Sequence, residues 1–144
     1  QMDFDFAKVV EASKDNPVFY VQYAHARIRS ILRKAEAAGL AAAADRLALL
    51  TAPELALVAQ AAQFPREVEL AARAREPHRI AFYLYDLAAA FHGFWNMGND
   101  DSQKRIIVAQ EPALTAARLF LCQQIGQVVR NGLAILGVEA VEEL

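Results

Sequence analysis

The stretch that decides the fold is NPVFYVQYAHARI, residues 16–28. Asn16 is a favourable N-cap and the proline after it suits the first helical position, so a helix is expected to begin here. At helical spacing Tyr20, Tyr23 and Arg27 occupy positions i, i+3 and i+7, which places them on one face. Two phenol rings beside a guanidinium form a surface that can stack bases and hold phosphate.

The same spacing also fits a core helix whose tyrosines are buried and whose basic side chains are solvated. The periodicity alone leaves both interpretations open. A second aromatic segment, residues 82–96, raises the same question, because Leu84, Leu87 and Phe91 follow core spacing while Trp95 falls next to polar residues. Trp95 is therefore either a core side chain or a stacking platform.

Helical patterns extend along the rest of the chain and indicate an all-α helical bundle with short connections. Thr51-Ala-Pro-Glu54 fits a capping box, and Gly39 and Gly137 are expected helix stops. The expected helices cover residues 16–39, 51–62, 66–75, 77–95 and 112–137, with shorter ones at 3–13 and 102–108 and a turn at 97–100. We expect residues 1–15 to form an N-terminal arm and residues 16–144 to form one domain.

Composition narrows the function classes. The chain has 144 residues, 56% of them hydrophobic, and a net charge of −2, so any RNA binding must depend on a local basic patch. Cys122 is the single cysteine, which excludes an intrachain disulfide, fits a reducing compartment and suggests an inert core residue. No apolar run reaches the roughly 18 residues of a membrane span.

Motifs for catalysis are missing from the sequence. It contains no Gly-rich phosphate loop, no metal-ligand spacing of Cys and His, and no recognisable nucleophile motif. We therefore predict no catalytic residue, no metal site and no cofactor for this fragment. Cations outside the first helix are interpreted as solvated surface residues: Arg73, Arg75, Arg79, Lys104, Arg105 and Arg118.

Three regions resemble the C-terminal, DALR-type anticodon-binding domain of bacterial arginyl-tRNA synthetases, which are class I enzymes. Residues 16–32 are similar to the family's Asn-Pro-Val-Tyr-Tyr-Val-Gln-Tyr-Ala-His-Ala-Arg-Ile segment, with Phe19 in place of a tyrosine. Residues 83–92 resemble the second signature, and residues 118–138 resemble the final helix and tail. The His-Ile-Gly-His and Lys-Met-Ser-Lys elements of class I catalytic domains are absent.

The resemblance implies that the domain binds the anticodon loop of arginine tRNA, whose central base is C. It implies that Tyr20 and Trp95 stack on bases, that Arg27 holds a phosphate or a base edge, and that Tyr23 positions the helix. Leu144 would replace the methionine with which family members commonly end. The other implied RNA contacts are Asn96 and Asn99. The implied supporting residues are Asp86, His92 and His25, of which His25 is expected to support Tyr23.

The resemblance also implies a parent arginine–tRNA ligase that uses ATP and Mg²⁺ in a catalytic domain of the same chain. We expect a cytoplasmic monomer without membrane contact, with an apolar patch at Phe4 and Phe6 where the catalytic domain is missing. Two alternatives remain open. One is the DALR-type domain of another synthetase, and the Tyr-Ala-His-Ala-Arg run argues against it. The other is a helical protein–protein interaction domain without RNA binding. It requires that the face formed by Tyr20, Tyr23 and Arg27, the tyrosine face, be buried.

Overall fold

A computed structural model describes residues 16–144. Within that range the chain forms five α-helices and no strand, so the all-α bundle is confirmed. The helices are α1 (Pro17–Ala37), α2 (Ala52–Ala61), α3 (Phe64–Ala74), α4 (His78–Asp100) and α5 (Pro112–Ile135), with 3-10 turns at Leu47–Leu49 and Ser102–Lys104. The expectations for the N-terminal arm, including Phe4 and Phe6, lie outside the described residues.

The ends of α1 follow from local chemistry, as predicted. The Asn16 side chain accepts hydrogen bonds from the backbone N–H groups of Val18 and Phe19, at 3.0 and 3.3 Å, and so satisfies helix donors that lack an intrahelical partner. After the helix, Gly39 adopts a φ of +74°, a left-handed conformation that glycine tolerates best. Both signals fix the length of the helix that carries the tyrosine face.

The core lies where α1, α4 and α5 pack together. Ile28, Leu84 and Phe91 are fully buried at its centre. The helices approach closely at Gly132, where an added Cβ would lie 2.6 Å from a methyl carbon of Leu84. Cys122 is also buried, and burial raises the pKa of its thiol to about 12, which confirms the prediction of an inert core cysteine.

The structure corrects the expected turn at residues 97–100, because α4 continues to Asp100. Gly98 is buried, and an added Cβ there would lie 2.9 Å from the Arg105 side chain, so the following segment packs directly against this helical turn. The chain turns at Asp101 instead, whose carboxylate accepts a hydrogen bond from the Gln103 backbone N–H. Only a 3-10 turn, Ser102–Lys104, forms where a helix over 102–108 was expected.

Arg118 is buried, which corrects the expectation that it is a solvated surface residue. Its guanidinium is buried and donates to the Glu54 carboxylate at 3.0 Å and to the backbone carbonyls of Gln103 and Arg105 at 2.9 and 2.6 Å. Burial alone would raise the pKa of Glu54, but hydrogen bonds from the backbone, Arg118 and Thr51 hold that pKa below its usual range. The pair connects α5 to the start of α2 and to the segment after α4.

Candidate functional site

The predicted face of α1 meets α4 in a cluster of rings around one guanidinium. The guanidinium carbon of Arg27 lies 4.8 Å from the ring centroid of Tyr23 and 5.3 Å from that of Trp95. Arg27 also donates hydrogen bonds to the Tyr23 hydroxyl and to Nδ1 of His92. Cation–π contacts of this kind hold the cation in place while leaving donor groups free for a ligand.

His92 supports this cluster from α4. It is buried, and its ring stacks on Tyr23 with a centroid distance of 5.4 Å. Because Arg27 can only donate, Nδ1 of His92 accepts, and the ring proton therefore sits on Nε2, which has no hydrogen-bond partner among the described residues. Burial and then the nearby Arg27 charge lower the pKa of His92 to about 4, so the ring is neutral at pH 7.

Tyr20 and Tyr23 differ in how far their rings are exposed. The Tyr20 ring is half-buried and packs on Tyr85 and His92, with centroid distances of 5.0 and 5.1 Å. Burial, followed by the neighbouring Tyr85, raises the pKa of Tyr20. Tyr23 is 37% exposed. Tyr23 is therefore the more exposed of the two rings, and Tyr20 packs against α4; their expected roles toward RNA stay predictions.

A cleft of about 420 Å³ opens beside these rings, between α1, α4 and the C-terminal tail. We name it the tyrosine cleft; Tyr23, Arg27, Trp95 and Leu144 all line it. Leu144 is 61% exposed at its edge, so an apolar side chain is available to a ligand from the tail side. The structure thus brings together four residues that the sequence analysis assigned to RNA binding.

The tail reaches this cleft because α1 holds it in place. Nδ1 of His25 lies 2.7 Å from the Val141 carbonyl oxygen, Gln22 donates to the Glu139 carbonyl, and Arg29 forms an ion pair with Glu142. Since a carbonyl only accepts, Nδ1 of His25 donates, and burial lowers the pKa of this ring. His25 thus holds the tail, and its expected support of Tyr23 stays a prediction.

The remaining predicted residues lie elsewhere. Asn99 lines a second cavity of about 220 Å³ beside Trp95, whereas Asn96 is exposed on α4 and lines neither cavity. Asp86 is exposed and lines a different cleft together with Tyr83 and residues of α2 and α3. Asp86 therefore lies on the side of α4 that faces α2 and α3, and its expected supporting role stays a prediction.

The structure adds residues to the lining of these cavities that the sequence analysis did not assign to the site. Lys34 lines both cavities, and its spacing of seven residues from Arg27 is a helical signal that predicts a shared face. Glu142 and Glu143 place carboxylates at the tyrosine cleft, which no local pattern indicates. Within the described part of the chain, no group of His, Cys, Asp and Glu is arranged to hold a metal ion, and no helix is long and apolar enough to cross a membrane.

Comparison with known proteins relates this geometry to one family. Residues 21–144 match the DALR anticodon binding domain. The chain is 71% identical to the arginine–tRNA ligase of Novosphingobium aromaticivorans, over the whole chain and 25% of that protein, and 51% identical to that of Jannaschia sp., over 99% of the chain and 25% of that protein.

Among solved structures, the arginyl-tRNA synthetase of Thermus thermophilus superposes with a TM-score of 0.80 at 37% identity, covering 100% of this chain and 24% of that one. The chain therefore spans about a quarter of the length of the curated relatives that it matches.

Proposed function

The chain belongs to the DALR anticodon-binding domain family, and from this premise we propose that it binds the anticodon loop of arginine tRNA and recognises the central C. Every arginine codon has G in the middle, so this base is common to all arginine anticodons. The observation that carries the proposal is the Arg27 guanidinium, held between the rings of Tyr23 and Trp95 at the edge of the tyrosine cleft.

The chemistry of the tyrosine cleft suits an unstacked cytosine. Stacking on Tyr23 or Trp95 compensates for the stacking lost in the loop, about 1–3 kcal/mol per base. Arg27 donates to the O2 and N3 acceptors of cytosine, while the carboxylates of Glu142 and Glu143 accept from its N4 amino group. Uracil presents N–H where cytosine has N3 and an oxygen where cytosine has N4, so both sets of contacts oppose it.

In a longer protein the domain would place the tRNA for a catalytic domain of the same chain, where ATP and Mg²⁺ support arginylation. Binding energy used at the anticodon then improves orientation at the distant reacting group. We place this role in the cytoplasm and in a monomer. The alternative of an interaction domain without RNA binding requires a buried tyrosine face, and the 37% exposure of Tyr23 disfavours it.

The test is a titration of Trp95 fluorescence with an arginine anticodon stem-loop and with its central C→U variant, at low and moderate salt. We expect saturable quenching by the C form and roughly tenfold weaker binding of the U form, the size of one base-edge contact. Equal, weak responses that vanish with salt would show only nonspecific attraction to the RNA phosphate backbone and would contradict the proposal.

Matched variants assign the signal to the cleft. Tyr23→Ala removes the exposed ring and should weaken binding, whereas Tyr23→Phe keeps the ring and should bind nearly as well as the wild type. Arg27→Ala should abolish the C-to-U difference. Arg73→Ala removes an exposed arginine of α3, paired with Glu69, and should leave that difference unchanged.

A further inference from the structure

Trp95 lines a second cavity in addition to the tyrosine cleft. This cavity, of about 220 Å³, shares Ile31, Lys34 and Trp95 with the tyrosine cleft and continues to Ile106 and Ile107; we name it the isoleucine cavity. Its size lies below the roughly 300–1,000 Å³ of sites for drug-sized ligands, which suits one flat ring system.

The charges around the isoleucine cavity differ from those around the tyrosine cleft. Lys34 and Arg105 line the isoleucine cavity, with the Asn99 amide beside them and no carboxylate in its walls. Neither cation forms an ion pair with any residue of the range 16–144. The tyrosine cleft, in contrast, combines the cations of Arg27, Arg33 and Lys34 with two carboxylates, Glu142 and Glu143, both of which pair with Arg33. A phosphate is therefore attracted to the edge of the isoleucine cavity, where no carboxylate offsets the charges of Lys34 and Arg105.

Arg105 is fixed in position before any ligand arrives. Its Nε donates to the Gly98 carbonyl at 3.1 Å, and its own backbone carbonyl accepts from the buried Arg118 at 2.6 Å. A Cβ on Gly98 would lie 2.9 Å from Cγ of Arg105, so glycine permits this close contact. Among residues 16–144 both Nη groups of Arg105 remain available, in the fork geometry that matches phosphate oxygens.

We propose that the isoleucine cavity binds a second unstacked base of the same RNA strand, next to the base in the tyrosine cleft, with the phosphate between them held by Lys34 and Arg105. The inference rests on the proposed function, because the strand reaches this cavity by way of the tyrosine cleft. Trp95, shared by both cavities, supplies the aromatic surface that successive unstacked bases require.

The experiment measures fluorescence anisotropy of labelled anticodon stem-loops bound to the 144-residue chain. Stem-loops carry an abasic site on either side of the central C. We expect one of the two to bind wild-type protein roughly tenfold more weakly, the size of one lost stacking contact. The Ile107→Phe substitution narrows the cavity and should lower the affinity for the intact stem-loop by a similar factor. The variant should then bind that abasic stem-loop and the intact one with equal affinity.

The phosphate contact has its own control. Lys34→Ala and Arg105→Ala should each reduce the slope of log affinity against log salt by about 0.7, the value for one single-strand phosphate contact. Lys104→Ala removes the same charge from the residue next to Arg105, but Lys104 is exposed and lines neither cavity. It should leave the slope unchanged.

The outcomes separate this inference from the proposed function. If wild-type protein prefers C over U, but neither abasic stem-loop nor Ile107→Phe alters affinity, the inference is wrong and the proposed function stands. If the protein binds no stem-loop, both are wrong. Circular dichroism shows whether Ile107→Phe still folds. If it does not, the salt-dependence slopes of Lys34→Ala and Arg105→Ala decide whether the inference holds, because Lys34→Ala changes only an exposed side chain.

Discussion

Replacing Arg118 by methionine tests how the bundle is held together. The change keeps an apolar stem and removes the guanidinium that contacts the Glu54 carboxylate and the carbonyls of Gln103 and Arg105. The side chains of the pair are only 7% and 2% exposed. Breaking such a pair from one side costs about 3–5 kcal/mol, because the remaining charge stays buried. Thr51 still donates to Glu54, so we expect about 3–4 kcal/mol, within that range.

The assay is urea unfolding followed by circular dichroism, supported by a thermal melt. For a chain of this size the predicted loss corresponds to a fall in Tm of roughly 10 °C. Because Arg118 also holds the backbone of Arg105, the variant should lose affinity for the second base more than it loses the C-to-U preference. A loss of stability below about 1 kcal/mol would refute the reasoning, since it would show that the burial of Glu54 costs little.

The control for this variant is a double-mutant cycle with Glu54→Gln. Removing both charges leaves no unpaired ion in the core, so Glu54→Gln/Arg118→Met should be less destabilised than the sum of the single variants. We expect a coupling free energy of about 2 kcal/mol, within the range measured for residues in contact. Additive effects would mean that the two side chains do not stabilise each other.

Other predictions concern the core and its pH dependence. The pKa of His92 falls from 6.5 to about 4 on folding, so the unfolded chain takes up the proton first and stability falls with acidification below pH 6.5. The loss expected from His92 at pH 5 is about 2 kcal/mol, and His92→Phe should remove it, as urea midpoints at pH 7 and 5 would show. The pKa of His25 is also lowered, so its own loss at acid pH should remain in the variant. Gly132→Ala should destabilise by about 1–3 kcal/mol in the same assay, since its Cβ would overlap Leu84. Gly93→Ala, with open space around it in α4, should instead stabilise by up to about 1 kcal/mol.

Helix boundaries set by local chemistry were predictable from the sequence. Asn16 caps α1 with its own side chain, and Gly39 and Gly137 take positive φ values after their helices. Each of these effects involves only a few neighbouring residues, so a short stretch of sequence contains the whole cause. The shared face of Tyr23 and Arg27 was predictable for the same reason, since helical spacing alone determines it.

Errors arose where a distant contact outweighs a local preference. Met-Gly-Asn-Asp favours a turn, yet Gly98 stays helical, and the Arg105 segment packs on it where any larger residue would collide. The capping box explained Glu54 in local terms, although its carboxylate also binds Arg118, 64 residues later. Likewise His25 contacts Val141 across 116 residues. Such partners depend on the packed bundle, and no periodicity in the sequence identifies them.

The proposed RNA recognition has to be reconciled with a net charge of −2. Long-range attraction to phosphate is weak at this net charge, so affinity must come from contacts inside the two cavities. At the tyrosine cleft the carboxylates of Glu142 and Glu143 pair with Arg33, whereas at the isoleucine cavity no carboxylate offsets Lys34 and Arg105. Under the further inference, this difference would direct the phosphate between the two bound bases toward Lys34 and Arg105.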